Sequence, residues 1–252
     1  MKFDQPAPSQ ISQLLALWKT VFGEYDGFWE LFLETAFQPS HCRCFLEDDQ
    51  IAASLCWLDC ECKGQRFAYL YAVMTHPDHR GKGLCRQLLD AVHACLTTNG
   101  YSAALLVPAE ESLREMYRKL GYADCTTVSE SSCAAAASPV SLRAIGPQEY
   151  AQLRREFLPD DGVIQEAENL TFLAQQAQFY AGADFLLAAY TQEATLHGME
   201  LLGNPAAAPG IVTALECKKG QFRTPGTDRP FAMIHPLQED AVIPDYFGLA
   251  FD

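Results

Sequence analysis

The sequence predicts an α/β chain of mixed α+β type, built as two successive domains. Three observations lead there. Residues 42–75 alternate in runs separated by turn residues, which reads as consecutive antiparallel strands. Residues 69–107 read as strand, glycine-containing turn, amphipathic helix and short apolar strand. After residue 140 the order of helices, hairpin, helix and short strands recurs in abbreviated form. With 252 residues, 49% of them hydrophobic, the chain is long enough for two small domains, each with its own core.

Taken in order, residues 9–22 have helical periodicity, with Ile11, Leu14, Leu15, Trp18 and Phe22 on one face. Ser9 is a candidate cap and Gly23 a stop. A second apolar helix is expected near Gly27 to Phe37, ending before Pro39. A hairpin follows, 42–47 with 51–60, turning at Glu47-Asp48-Asp49-Gln50, and Gly64 turns the chain into the next strand. Cys42, Cys44, Cys56, Cys60 and Cys62 fall in this region. Residues i and i+2 of a strand point the same way, but that does not make their thiolates converge, so buried free thiols are expected rather than a metal site.

At 69–99 an apolar run, Tyr69 to Thr75, leads through a Pro-containing link to Arg80-Gly81-Lys82-Gly83 and a helix from Leu84 to about Thr98. The first amides of a helix lack intrahelical acceptors and carry the positive end of its dipole. Small residues let an anion approach them, so this turn reads as a phosphate cradle. A glycine turn alone is equally an ordinary βα turn. A short apolar strand, Ser102 to Val107, comes next, then a helix over 108–122 ending Tyr117-Arg118-Lys119-Leu120-Gly121-Tyr122.

Two of these segments resemble the GNAT superfamily of acyl-CoA N-acyltransferases. Arg80, Gly83 and Cys85 stand at the fixed positions of its Gln/Arg-x-x-Gly-x-Gly/Ala motif, Cys85 in place of the usual Gly or Ala. Tyr117, Gly121 and Tyr122 fit the Tyr-x-x-x-Gly-aromatic end of the following helix, with Glu110 where Asn is frequent. The resemblance covers about residues 1–130 and implies a twisted mixed sheet flanked by helices. It implies acetyl-CoA as co-substrate, with Val73, Met74 and Thr75 holding the acyl and pantetheine parts. His79, Arg80, Gly81, Lys82, Gly83, Leu84 and Cys85 then bracket the pyrophosphate. Tyr117 takes the place of the usual general acid. For the base, His76, His79, Glu24, a water relay and the C-terminal Asp252 all stand as candidates, His76 foremost. Phe28, Trp29 and Phe32 either line an acceptor pocket or are core. The reaction implied is acetyl transfer to the primary amine of a small molecule by direct attack. The other reading is a non-catalytic acyl-CoA-binding module serving as regulator or scaffold.

Residues 131–139 read as a linker between a first domain, 1–130, and a second, 140–252. The second half lacks both motifs. Strand is expected at 140–145, 184–190, 195–202, 222, 231–234 and 246–251, and helix at 147–157, 166–180 and 209–218. That order points to a smaller degenerate GNAT-like domain or an unrelated α+β one. Its apolar C-terminal runs imply burial, within itself or against the acceptor side of the first domain.

The formal charge is −14, which argues against a nucleic-acid partner and is compatible with a cationic amine. The first ten residues contain no apolar signal core, and no run is long enough to span a membrane, so a cytoplasmic protein without a membrane partner is expected. Nothing in the sequence sets an oligomeric state.

Overall fold

A computed structural model describes residues 1–23 and 27–251. The chain runs β1 (Lys2–Asp4), α1 (Ile11–Phe22), α2 (Phe28–Thr35), β2 (Cys42–Glu47), β3 (Gln50–Cys62), β4 (Gln65–Thr75), α3 (Leu84–Thr98), β5 (Ala103–Leu106) and α4 (Glu111–Arg118). It continues β6 (Ala123–Asp124), β7 (Thr127–Ala134), β8 (Leu142–Ile145), α5 (Pro147–Phe157), α6 (Glu168–Leu173), β9 (Gln178–Gly182), β10 (Phe185–Gln192), β11 (Thr195–Gly203), α7 (Ala208–Ala214), β12 (Lys219–Pro225), β13 (Arg229–Pro230) and β14 (Met233–Pro236). The mixed α+β class is as the sequence predicts.

The contacts group the chain into two compact units that are interleaved in sequence rather than consecutive. Unit 1 holds Met1–Leu106, Glu115–Tyr122 and Ile234–Val242, and unit 2 holds Val107–Arg114, Ala123–Met233 and Ile243–Asp252. Sequence adjacency alone places the boundary near 130–140. Strand pairing places it elsewhere, because a strand joins whichever sheet completes its hydrogen bonds.

In unit 1 the sheet contains, in order, β1-β2-β3-β4-β5-β14. β1 to β4 are antiparallel neighbours in the order β1-β2-β3-β4, and β4 and β5 are parallel. The hairpin turns are tight. Asp48 and Asp49 join β2 to β3, and Lys63 and Gly64 join β3 to β4, all at positive φ. Two consecutive positive-φ residues form the two-residue turn that matches strand twist. Trp18, Trp29 and Phe32 are buried where α1 and α2 pack together. Each such side chain contributes about 1.5–3 kcal/mol from leaving water. Ser9 sits in a 3-10 turn (Pro8–Gln10) rather than capping α1, and Phe28, Trp29 and Phe32 form one aromatic contact group with Tyr71.

Unit 2 carries a seven-stranded sheet, β13-β7-β12-β11-β10-β9-β8, larger than the small domain expected. Its elements echo the first unit: an antiparallel β10–β11 pair with a bulge, then α7, then β12 parallel to β11. Three local expectations are corrected here. Residues 131–134 are strand, because β7 pairs with β12 as far as Ala134, so small polar residues take the conformation their partner dictates. Residues 178–182 are strand β9, not the end of a helix. Residues 246–251 are buried yet form no strand. Tyr246 makes a single bridge to Gly162, and Gln165 holds Leu249 through both its N–H and its carbonyl. The core of this unit contains a buried ion pair. Arg154 donates from Nε and Nη2 to the two oxygens of Glu200, at 2.7 and 2.8 Å, and Tyr150 donates to the same carboxylate at 2.7 Å.

Candidate active site

The candidate site lies in unit 1, at the end of β4 and the start of α3. β4 is paired to β5 only from Phe67 to Tyr69 and leaves it beyond that point. On the other side, the β3–β4 register slips: Tyr71 faces Cys56 and Met74 faces Ser54, so Ala72 and Val73 together oppose Leu55. Ala72 has φ +51°, rare for a residue with a side chain. The bulge and the parting of the strands act together. On the β5 side they leave the backbone of β4 over Val73, Met74 and Thr75 without a strand partner. Unpaired amides at such an edge can donate to a carbonyl or to an amide-bearing chain.

The turn that follows is built in two parts. Pro77–His79 forms one 3-10 turn. The amide of His79 donates to the carbonyl of His76 at 2.9 Å and that of Arg80 to Pro77 at 3.2 Å. Those two amides therefore hold the turn together. Arg80 also ties it to the strand, its Nε reaching the Thr75 carbonyl at 3.4 Å. Gly81 and Gly83 then take φ +74° and +75°, and Gly83 precedes the first residue of α3. The first intrahelical bond runs from the Gln87 amide to the Gly83 carbonyl. The amides from Gly83 to Arg86 thus open the helix without intrahelical acceptors. The turn is uncrowded at both glycines: a Cβ built on Gly81 would meet nothing within 4 Å, and one on Gly83 only the Gln87 side chain at 3.8 Å. This turn fits a bulky anion such as a pyrophosphate. Lys82 is exposed beside it, and Leu84 is buried and anchors the helix start.

Cys85, half-buried in the first turn of α3, lies near the second motif. Its thiol is close enough to Tyr117 and Tyr122 to push both phenols above their ordinary pKa, in addition to the larger effect of burial. Burial likewise raises the Cys85 thiol. The ring of Tyr117 meets that of Tyr122 edge-on at 5.6 Å. Two motifs separated in sequence thus converge on the first turn of α3. A phenol held above its usual pKa stays protonated at neutral pH and can donate only to a partner that gains charge.

His76 and His79 are drawn to other work. The Asp78 amide donates to His76 Nδ1 at 3.2 Å, so the lone pair a base would use caps the 3-10 turn. His79 points at Glu47 of β2, with Nδ1 at 3.7 Å from its carboxylate, and contributes no side chain to the cradle. Both line a cleft of ≈350 Å³ with Gln13, Leu17, Thr20 and Ile51. That cleft is made by α1 and the start of β3, whereas the freed backbone of β4 is on the β5 side. Glu24 and Asp252 lie outside the described residues.

Sequence reasoning missed a polar cluster behind Tyr117. His93, on the buried face of α3, meets the Tyr122 hydroxyl at 2.7 Å and stacks on His235 at 4.1 Å. Its only signal in the sequence is a histidine among the apolar positions of α3. Its partner from β14 is 142 positions away, the difference between 235 and 93. All ten cysteines are free thiols, and Cys42 faces Cys56 across the β2–β3 pair. Among the described residues no group of three or more His, Cys, Asp or Glu is placed to hold a metal, and no helix is long and apolar enough to cross a membrane.

Comparison with known proteins bears on residues 2–125, which match the family model described as Acetyltransferase (GNAT) domain. No curated protein matches the chain. Among solved structures, a GCN5-related N-acetyltransferase from Kribbella flavida superposes with TM-score 0.73 at 16% identity, over 95% of this chain and 73% of that one. One from Anabaena variabilis gives 0.74 at 15%, over 94% and 73%. A tandem GNAT protein from the clavulanic acid biosynthesis pathway gives 0.57 at 12%, over 95% and 99%. At such identities the likeness is one of fold, and it extends over both units.

Proposed function

From the match of residues 2–125 to the GNAT acetyltransferase family model, we propose that the protein is an acyl-CoA-dependent N-acyltransferase, moving an acetyl group from acetyl-CoA to the primary amine of a small molecule. The observation that carries this reading is the meeting of the first turn of α3 with the second motif, where Arg86 donates to the Lys119 carbonyl at 2.8 Å and Cys85 lies close enough to Tyr117 to raise its pKa. It sets the mouth of an anion cradle beside a protonated phenol.

In this reading the amides that open α3 and the open glycine turn bind the pyrophosphate. The freed backbone of Val73, Met74 and Thr75 orients the pantetheine arm and polarises the thioester carbonyl. Direct attack by the neutral amine forms the new C–N bond as the C–S bond breaks. Tyr117 donates its proton to sulfur as thiolate charge develops. With the His76 lone pair engaged by Asp78, the amine's proton goes to water. The excess of 32 acidic over 18 basic residues is compatible with an acceptor that arrives as a cation.

Calorimetric titration with acetyl-CoA, followed by a thiol-release screen over a panel of small amines, tests the proposal. Binding with turnover on at least one amine is expected. Binding with no thiol release on any amine favours a non-catalytic acyl-CoA module, and absence of binding removes both.

A further inference from the structure

The polar cluster behind Tyr117 has no part in the chemistry above, and its geometry assigns it one. We propose that His93 is a positioning residue, which fixes the ring of Tyr117 beside Cys85 by holding Tyr122 through a hydrogen bond. The inference rests on the reading of Tyr117 as the proton donor.

The segment from Tyr117 to Tyr122 closes α4 and is held at two points. His93 Nε2 meets the Tyr122 hydroxyl at 2.7 Å. His235 Nδ1 donates to the Gly121 carbonyl at 3.0 Å. The two imidazoles stack on each other, 4.1 Å apart and 11° from parallel, so each restrains the other. Tyr122 passes the restraint on, because its ring lies edge-on to Tyr117 at 5.6 Å and 67°. Gly121 belongs to the same device: at φ +89° it turns the chain, and a Cβ there would approach His235 Nδ1 to 3.1 Å.

Apolar packing alone does not account for His93. Leu84, Leu88, Leu89, Val92 and Leu96 are already buried on α3, and another apolar residue would cost less to bury than an imidazole. What a histidine adds is a directional bond to one hydroxyl. Burial, with His235 beside it, keeps the ring neutral by lowering its pKa to about 3. A neutral ring has one donor and one acceptor nitrogen, and either serves the Tyr122 hydroxyl.

The test uses the full chain labelled with 13C at tyrosine Cζ. The Tyr117 resonance is assigned by its loss in Tyr117→Phe and followed while CoA is added. In His93→Leu the Tyr117 resonance should move from its wild-type position. kcat for an amine found by the panel should fall on the order of tenfold, below the roughly hundredfold loss that a 1 Å misplacement can cause. Affinity for acetyl-CoA by calorimetry should change less than twofold. His93→Gln, which can still bond the hydroxyl, should restore both the resonance and kcat. Because His93→Leu strands a buried hydroxyl, the double variant His93→Leu, Tyr122→Phe gives a folded control expected to show the same losses. A wild-type Tyr117 resonance in that folded double variant would overturn the proposal, as would an unchanged kcat. If the wild type binds no CoA, the functional reading falls, while the Tyr117 resonance in the variants still decides the positioning role.

Discussion

Gly83 is the residue on which the proposed cradle depends. Its φ of +75° suits glycine, and the space before its Cα is open, so Gly83→Val both strains the turn and fills the approach of a pyrophosphate. Acetyl-CoA binding should be lost while the circular dichroism spectrum stays native; normal binding would remove the turn from the site. Tyr117→Phe keeps the ring and removes the proton. kcat should fall by about two orders of magnitude with little change in cofactor affinity, measured under conditions where chemistry limits the rate. His93 gives a pH prediction. In the unfolded chain its ring titrates near its ordinary 6.5, and in the native state only near 3. Between those values the unfolded state holds the extra proton, so stability is full above pH 6.5 and falls as pH drops toward 3. The rate is about 1.4 kcal/mol per pH unit at most. Urea melts of wild type and His93→Gln between pH 6.5 and 4 should show the shallower dependence in the variant, and equal slopes would contradict the buried neutral ring. At this scale the glycine turn and the start of α3 were legible from sequence because their residues are contiguous. His93 was not, since the hydroxyl and the imidazole it meets come from separate segments.

Elements whose pattern matches their surroundings form where periodicity puts them. α5 runs Pro147–Phe157 as expected, and the β2–β3 and β10–β11 hairpins close on turn residues at positive φ. Elements short of local signal are decided by partners. β9 is recruited from a stretch with helical character, because it supplies the strand between β8 and β10. The bulge in β4 is likewise absent from the pattern of Tyr69–Thr75, which reads as one uninterrupted strand. Residues 246–250 are buried without being a strand because Gln165 and Val163 satisfy their backbone. The ion pair under it gives a stability test. Arg154→Leu leaves Glu200 buried without its cation and should cost about 3–5 kcal/mol in urea unfolding. Arg154→Leu with Glu200→Leu should cost markedly less. Equal losses would mean that packing volume, not uncompensated charge, sets the penalty.

For the whole molecule the consequence of interleaving is practical. Residues 234–242 belong to unit 1, and β7, early in the chain, pairs with β12 in unit 2. A chain ended near residue 135 therefore lacks a strand of its own sheet and carries β7 with its hydrogen bonds unmet. It should be aggregated or poorly folded, judged by light scattering and amide exchange. A well-dispersed, protected 1–135 fragment would show that unit 1 stands without its late segment.

The sequence by itself determined the mixed α+β class, the strand, glycine turn and helix over 69–98, and the second motif running from Tyr117 to Tyr122. Each is written in contiguous residues, where propensity, glycine placement and periodicity act locally. Tertiary structure alone decided the meeting of the first turn of α3 with the second motif, the bulge and parting of β4, the histidine pair behind the tyrosines and the grouping of residues 234–242 with unit 1. Those depend on which distant backbone completes a hydrogen-bond ladder and which buried polar atom finds a partner, and neither condition leaves a periodic trace along the chain.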